Sequence, residues 1–171
     1  MHVIEGNNVK DEVAKIWRLL EDVCDPEVPV LSVLDLGIVR DVQLEGERVI
    51  VTITPTYSGC PAMSTIEMEI RFKLIEEGYK NIQIKTVLSP SWTTDWMSEE
   101  GKRKLEVYGI APPVQPVSSM NELFAKDVVV KCPLCKSEHT KLISQFGSTS
   151  CKALYQCQDC KEPFDYFKCL K

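Results

Sequence analysis

Thr52-Ile53-Thr54-Pro55-Thr56-Tyr57-Ser58-Gly59-Cys60-Pro61-Ala62-Met63 joins a strand to a helix and orders everything around it. The β-branched run at residues 49–54 reads as a strand. It stops at Pro55, passes a polar turn and delivers Cys60 directly before Pro61. Proline is favoured at the first helical position, which predicts Cys60 at the N-cap of the next helix. Free backbone N–H groups and the positive end of the helix dipole point there. They would stabilise a thiolate and lower the thiol pKa, suiting Cys60 to be a nucleophile or a soft-metal ligand. A small, buried, inert side chain is the alternative.

Upstream, Val9, Val13, Ile16, Trp17 and Leu20 recur at helical spacing. They predict an amphipathic helix that ends near Cys24-Asp25-Pro26, because the residue before proline disfavours helix. Asp25-Pro26-Glu27-Val28-Pro29 is then a stiff acidic loop, whose plain reading is a solvated turn. Leu36-Gly37-Ile38-Val39 leads into a strand running to about Leu44, and Glu45-Gly46-Glu47 makes a hairpin turn before residues 48–54 return antiparallel. Val49, Val51 and Ile53 face one side, and Ile50, Thr52 and Thr54 the other.

Downstream, a helix runs over residues 61–77. Met63, Ile66, Ile70 and Leu74 form its main stripe, with Met68, Phe72 and Ile75 widening it and Gly78 as its C-terminal cap. Residues 81–88 alternate and predict a third strand. The expected fold class is α+β, a small three-stranded sheet with packed helices. In Ser89-Pro90-Ser91-Trp92-Thr93-Thr94-Asp95-Trp96 the two tryptophans are four apart. They either close the core or anchor a partner. Ser98-Glu99-Glu100 caps a further helix ending near Tyr108-Gly109. A proline-rich stretch follows, so the expected domains are residues 1–110, a linker at 111–125 and a small module at 126–171.

The chain has 171 residues and eight cysteines, six of them in the last 40. Residues 1–10 carry no basic-then-apolar leader pattern, and no apolar run approaches the roughly 20 residues of a membrane helix. A cytoplasmic protein without membrane contact is expected. Thiols stay reduced there, so clustered cysteines point to metal or chemistry rather than disulfides. Residues 1–125 carry a net charge of −8 and residues 126–171 a net of +3. That is not the strongly basic surface of a nucleic-acid binder.

Cys132-Pro133-Leu134-Cys135 and Cys157-Gln158-Asp159-Cys160 are two C-x-x-C pairs, 21 residues apart. Each pair turns two sulfurs toward one ion, and two pairs close a tetrahedral S₄ site. Strand-like runs at 140–146, 153–156 and 164–168 flank them, as in a zinc ribbon. Structural Zn²⁺ is the default ion and iron its competitor. A module this small buries too little core to hold itself, so the metal would supply folding energy. No glycine follows Cys135 or Cys160 to turn the chain. Cys151 is either a surplus ligand or a transfer thiol, Cys169 sits in the terminal residues, and His139 reads as structural.

Asp25-Pro26-Glu27, Asp35-Leu36-Gly37, Gly59-Cys60-Pro61 and the four-cysteine ribbon together resemble the PaaD family. These are accessory proteins of the phenylacetyl-CoA ring-epoxidase system, and their N-terminal domain is similar to iron–sulfur assembly factors. The 89–96 stretch, Tyr108-Gly109-Ile110-Ala111-Pro112-Pro113 and the cysteine-rich tail carry the more specific likeness. The resemblance implies maturation of an iron–sulfur or other metal cofactor in the epoxidase system. Cys60 would be the reactive thiol, with Asp25 and Glu27 beside it if the loops converge. It would hold transient iron or an iron–sulfur cluster, and the reductase or oxygenase components would be the partners. A non-catalytic docking subunit is the alternative, and a homodimer stays open. With two histidines in all and no E-x-x-H, the chain has no di-iron oxygenase set, and no catalytic residue is assigned.

Overall fold

The computed structural model describes residues 6–114 and 129–168, with side chains from residue 9 onward. The elements are α1 (Gly6–Leu20), β1 (Val39–Glu45), β2 (Arg48–Ile53), α2 (Ala62–Glu76), β3 (Asn81–Thr86), a 3₁₀ turn (Thr94–Trp96), α3 (Glu99–Tyr108), β4 (Ile110–Ala111), β5 (Thr140–Ser144), β6 (Lys152–Cys157) and β7 (Pro163–Phe167). They build two sheets, β1-β2-β3 and β4-β7-β6-β5. The α+β class expected from the pattern is the one observed.

β1 and β2 form an antiparallel hairpin, while β2 and β3 run parallel from Arg48↔Asn81 to Ile53↔Thr86. A parallel pair needs a crossover, which α2 supplies. Val49, Val51 and Ile53 are fully buried with Ile16, Leu20, Ile66, Ile70 and Leu74. Ile50 is buried as well, so the second face of β2 is covered there. Met68, Phe72 and Ile75 do not widen the buried stripe of α2. They are 52%, 57% and 51% exposed. Ala62, Met63, Ile66, Ile70 and Leu74 fill the core side, and the offset of 68, 72 and 75 from them turns a second apolar stripe outward.

Asp35-Leu36-Gly37 is the fastening point of this half. The Asp35 carboxylate accepts hydrogen bonds from the Lys104 ammonium at 2.6 Å, the Ser98 hydroxyl at 2.8 Å and the Ser32 N–H at 3.1 Å. Burial alone would raise its pKa, but these donors outweigh burial and hold it below the usual carboxylate value. The Trp92 indole N–H donates to the Leu36 carbonyl at 2.8 Å. Gly37 has φ +68°, and a Cβ there would lie 2.3 Å from the Trp96 carbonyl oxygen. Trp92 is 2% exposed and the Arg40 guanidinium lies 3.6 Å from the Trp96 ring centre. Of the two readings of the tryptophan segment, Trp92 therefore takes the one that closes the core.

The second sheet does not stand apart. Trp92 meets Phe167 of β7 edge-on, with ring centres 6.4 Å apart. Phe167 and Cys151 both belong to the same buried cluster as α1, α2 and β2. β4 follows α3 after Gly109 (φ +94°) and pairs parallel with β7, Ile110↔Asp165 and Ala111↔Tyr166. Ala111, the first residue of the expected linker, is thus a strand residue of the second sheet. Residues 115–125 of that linker, together with His2 and Cys169, lie outside the described residues. Among the described residues no helix is long and apolar enough to cross a membrane.

Gly37→Ala is expected to lower stability in urea unfolding by about 2–4 kcal/mol, from left-handed strain plus overpacking. Gly46 has φ +63° but nothing within 4 Å of a Cβ, so Gly46→Ala should cost only the strain, about 1–2 kcal/mol.

Candidate functional site

Two groups of cysteines define the chemistry. In the first, the Sγ atoms of Cys132, Cys135, Cys157 and Cys160 all lie within 4.8 Å of one another. Cys132 and Cys160 are 3.8 Å apart and Cys135 and Cys157 are 3.5 Å apart. A tetrahedral ion with metal–sulfur bonds of about 2.3 Å requires edges of about 3.8 Å, so the sulfurs fit a four-coordinate metal. Each knuckle is closed by backbone hydrogen bonds. Cys132 N–H reaches the Ser137 carbonyl at 2.9 Å, and Cys157 N–H the Glu162 carbonyl at 3.0 Å. The missing glycines are replaced by lysines in the left-handed region, Lys136 (φ +65°) and Lys161 (φ +67°). Each directly follows the second cysteine of its pair. Burial disfavours the Cys157 thiolate, but the N–H groups of Cys160 and Asp159 and the neighbouring thiols bring its pKa down to about 6. His139 is exposed and pairs with Asp159 at 3.3 Å, so it is not a ligand of this group.

The second group gathers around Cys60. α2 begins at Ala62 with Pro61 at its cap, so Cys60 lies one residue outside the N-cap position expected for it. The Ala62 N–H and the Thr56 and Tyr57 side chains favour the thiolate. Burial dominates nevertheless and raises the thiol pKa, with the Glu27 charge adding to the rise. The expected helix-start activation is thus overturned. Desolvation of the half-buried thiol outweighs what the polar groups around it return.

The Glu27 charge acts on the Cys60 thiol, raising its pKa on top of burial. Asp25 has a different task. Its Oδ1 accepts the Glu27 N–H at 2.7 Å and the Val28 N–H at 2.9 Å, fixing the acidic loop so that Glu27 projects from it. Burial raises the Glu27 pKa, and Asp25 raises it further. Cys24 has other neighbours. It is exposed, with its sulfur 3.9 Å from the Asp22 carbonyl.

Three features of this group have no counterpart among the site residues expected from sequence. Tyr57 has its pKa raised by burial, and both Ser150 and Cys60 influence its hydroxyl. Cys151 is 7% exposed, and its Sγ lies 4.0 Å from Glu27 Oε2 and 2.9 Å from the Thr149 hydroxyl. No periodicity joins residues 124 apart, so only the packing of the two modules reveals the contact. A cavity of about 150 Å³ lies against the same loop, lined by Thr54, Pro55, Thr56, Tyr57, Ser58 and Trp92 among others.

The family model of an iron–sulfur cluster assembly protein matches residues 13–82, and that of the PaaD zinc beta ribbon domain matches residues 116–168. A protein of Escherichia coli strain K12, named as a candidate subunit of 1,2-phenylacetyl-CoA epoxidase, is 48% identical over 159 residues, 93% of this chain and 94% of the relative. A protein of Porphyromonas gingivalis named an Fe-S protein maturation auxiliary factor is 39% identical over 92 residues, covering 53% of this chain and 87% of its own. The crystal structure of a domain of unknown function from Bacillus anthracis superposes with a TM-score of 0.57 at 26% identity. It covers 60% of this chain and 99% of that one.

Metal analysis of the purified chain should find one tightly held ion, and Cys157→Ser should lose it. In that variant hydrogen exchange should accelerate across β5–β7 while β1–β3 keep their protection.

Proposed function

The chain belongs to the PaaD family, and on that premise we propose that it is an accessory maturation factor of a multicomponent phenylacetyl-CoA epoxidase, assisting assembly of an iron–sulfur cluster or another metal cofactor. The observation that carries this reading is the seat of Cys60. The thiol is half buried, at the start of α2, and burial followed by the Glu27 charge raises its pKa. His139, the one described histidine, pairs with Asp159 on the ribbon. A thiol without an imidazole suits soft-metal contact better than nucleophilic turnover.

Cys60 and Glu27 touch iron or a cluster in passage, and Asp25 shapes the loop that presents Glu27. The resident ion of the four-sulfur group is Zn²⁺, the default for tetrahedral thiolate sites. The working division is an assembly-factor-like domain at 1–110, a proline-rich linker at 111–125 and a zinc ribbon at 126–171, with Ile110 and Ala111 at the boundary lending a strand to the second sheet. All seven described cysteines are free thiols, which suits the reducing cytoplasm. The clients are the reductase or oxygenase components of the epoxidase. A docking subunit is the second reading, favoured by the outward stripe of Met68, Phe72 and Ile75 on α2.

Cys60→Ser, expressed in place of the wild type, should lower the metal-cofactor content of the epoxidase components and phenylacetate consumption severalfold. Unchanged cofactor content would reject the thiol's role. Co-purification with active epoxidase in fixed stoichiometry, with cofactor content unaffected, would favour the docking reading.

A further inference from the structure

The cavity of about 150 Å³ beside the loop between β2 and α2 plays no part in the reading above. Its floor is closed and its mouth is open. Thr54, Pro55, Thr56 and Trp92 are buried, while Ser58, Leu88 and Ser91, which also line it, are exposed. One polar group of the floor is unanswered. Thr54 is 1% exposed, and its N–H is paired with the Ile38 carbonyl at 2.9 Å. Its hydroxyl oxygen has no hydrogen-bond partner among the described residues. A buried hydroxyl without a partner is destabilising, and such groups are few in folded proteins. A polar group bound in the cavity would answer it.

The lining fixes the chemistry of the occupant. Pro55, Leu88 and Trp92 supply its apolar walls. The Trp92 indole N–H is already taken by the Leu36 carbonyl at 2.8 Å, so Trp92 offers the cavity ring carbon. The other lining side chains carry hydroxyls, and no acidic or basic residue is among them. A carboxylate or an ammonium would be desolvated there without a counter-charge, which is strongly unfavourable. An apolar cavity of about 150 Å³ holds one benzene molecule, so the floor accepts a single six-membered ring. Leu88 at the mouth is 62% exposed, and an occupant would remove part of its surface from water. Water alone would satisfy Thr54 but would gain nothing from the apolar walls.

We propose that this cavity is a binding site for a small neutral molecule built on one aromatic ring, with its single polar substituent hydrogen-bonded to the Thr54 hydroxyl. The ring lies against Pro55, Leu88 and Trp92. The inference goes beyond the maturation reading and does not depend on it. One wall is the loop that leads to Cys60, and another is Trp92, whose ring meets Phe167 of β7. Occupancy therefore bears on that loop and on the contact between the two sheets.

The test titrates the full chain at pH 7 with phenol, benzene and benzoate, followed by the amide signals of Thr54, Ser58 and Ser91 and the indole N–H signal of Trp92. Phenol should give saturable shifts at these groups, and benzoate should bind at least about tenfold more weakly. Thr54→Val keeps the branched shape and removes the hydroxyl. The ratio of phenol to benzene affinity should fall about fivefold in that variant, the worth of one net hydrogen bond. Without ligand, Thr54→Val should unfold at no lower urea concentration than wild type, since the hydroxyl it removes has no partner. Leu88→Ala changes an exposed side chain, so it reads the site even if Thr54→Val folds poorly, and it should weaken phenol and benzene alike. No saturable shift with phenol means that the cavity holds water only, and this overturns the inference. Benzoate binding equal to phenol overturns it too, as does a phenol-to-benzene ratio unchanged in Thr54→Val. None of these results touches the role of Cys60, which Cys60→Ser tests separately.

Discussion

Four sulfurs within 4.8 Å of one another hold the second half of the chain together. β5, β6 and β7 are short strands over a small cluster of buried residues. The knuckles at Cys135 and Cys160 each place a lysine in the left-handed region, which costs about 1–2 kcal/mol apiece. A bound ion would offset such strain and supply the folding energy that so small a core lacks. The consequence reaches beyond the ribbon, because the turn before β6 carries Cys151 and β7 carries Phe167. Both are buried in the core of the first module. A metal held by these four sulfurs would therefore fix the seam as well as the sheet.

The first module contributes the opposite face of that seam through two loops. One is stiffened by Asp25, whose carboxylate binds two successive N–H groups and leaves Glu27 projecting. The other runs from β2 to α2 and carries Cys60 just before the helix. Behind them, Asp35-Leu36-Gly37 locks α3 and the tryptophan segment in place, so Trp92 can meet Phe167. Family motifs that look alike in sequence thus divide into two kinds. Asp35-Leu36-Gly37 is architecture, while Glu27 reaches across to Cys151 on the second sheet's turn.

Much of this was legible in the sequence. The alternation of Val49, Val51 and Ile53, the stripe of Ile66, Ile70 and Leu74, the Gly78 and Gly109 helix ends and the paired C-x-x-C motifs each carry their own local signal. What was not legible depends on tertiary surroundings. Helix spacing groups Met68, Phe72 and Ile75 with apolar neighbours but does not say which side the sheet occupies. Cys60 at a helix start suggested a lowered pKa, yet the burial that reverses it comes from elements distant in sequence. Lys136 and Lys161 carry the turns that glycine was expected to make, because bonds within each knuckle hold their backbones. Cys151 carried no positional signal, since its partner Glu27 is 124 residues away.

A division of labour follows. The four ribbon sulfurs form one compact group, while Cys151 lies apart from them where the two modules meet. The most direct measurement is the rate at which a thiol reagent labels Cys151, read by peptide mass spectrometry before and after the resident metal is stripped. If the metal knot holds the seam, Cys151 reacts slowly in the loaded protein. On stripping it should approach the rate of exposed Cys24, and reloading should restore its protection. Equal, slow labelling of Cys151 in both states, with the metal shown to be gone, would contradict the account.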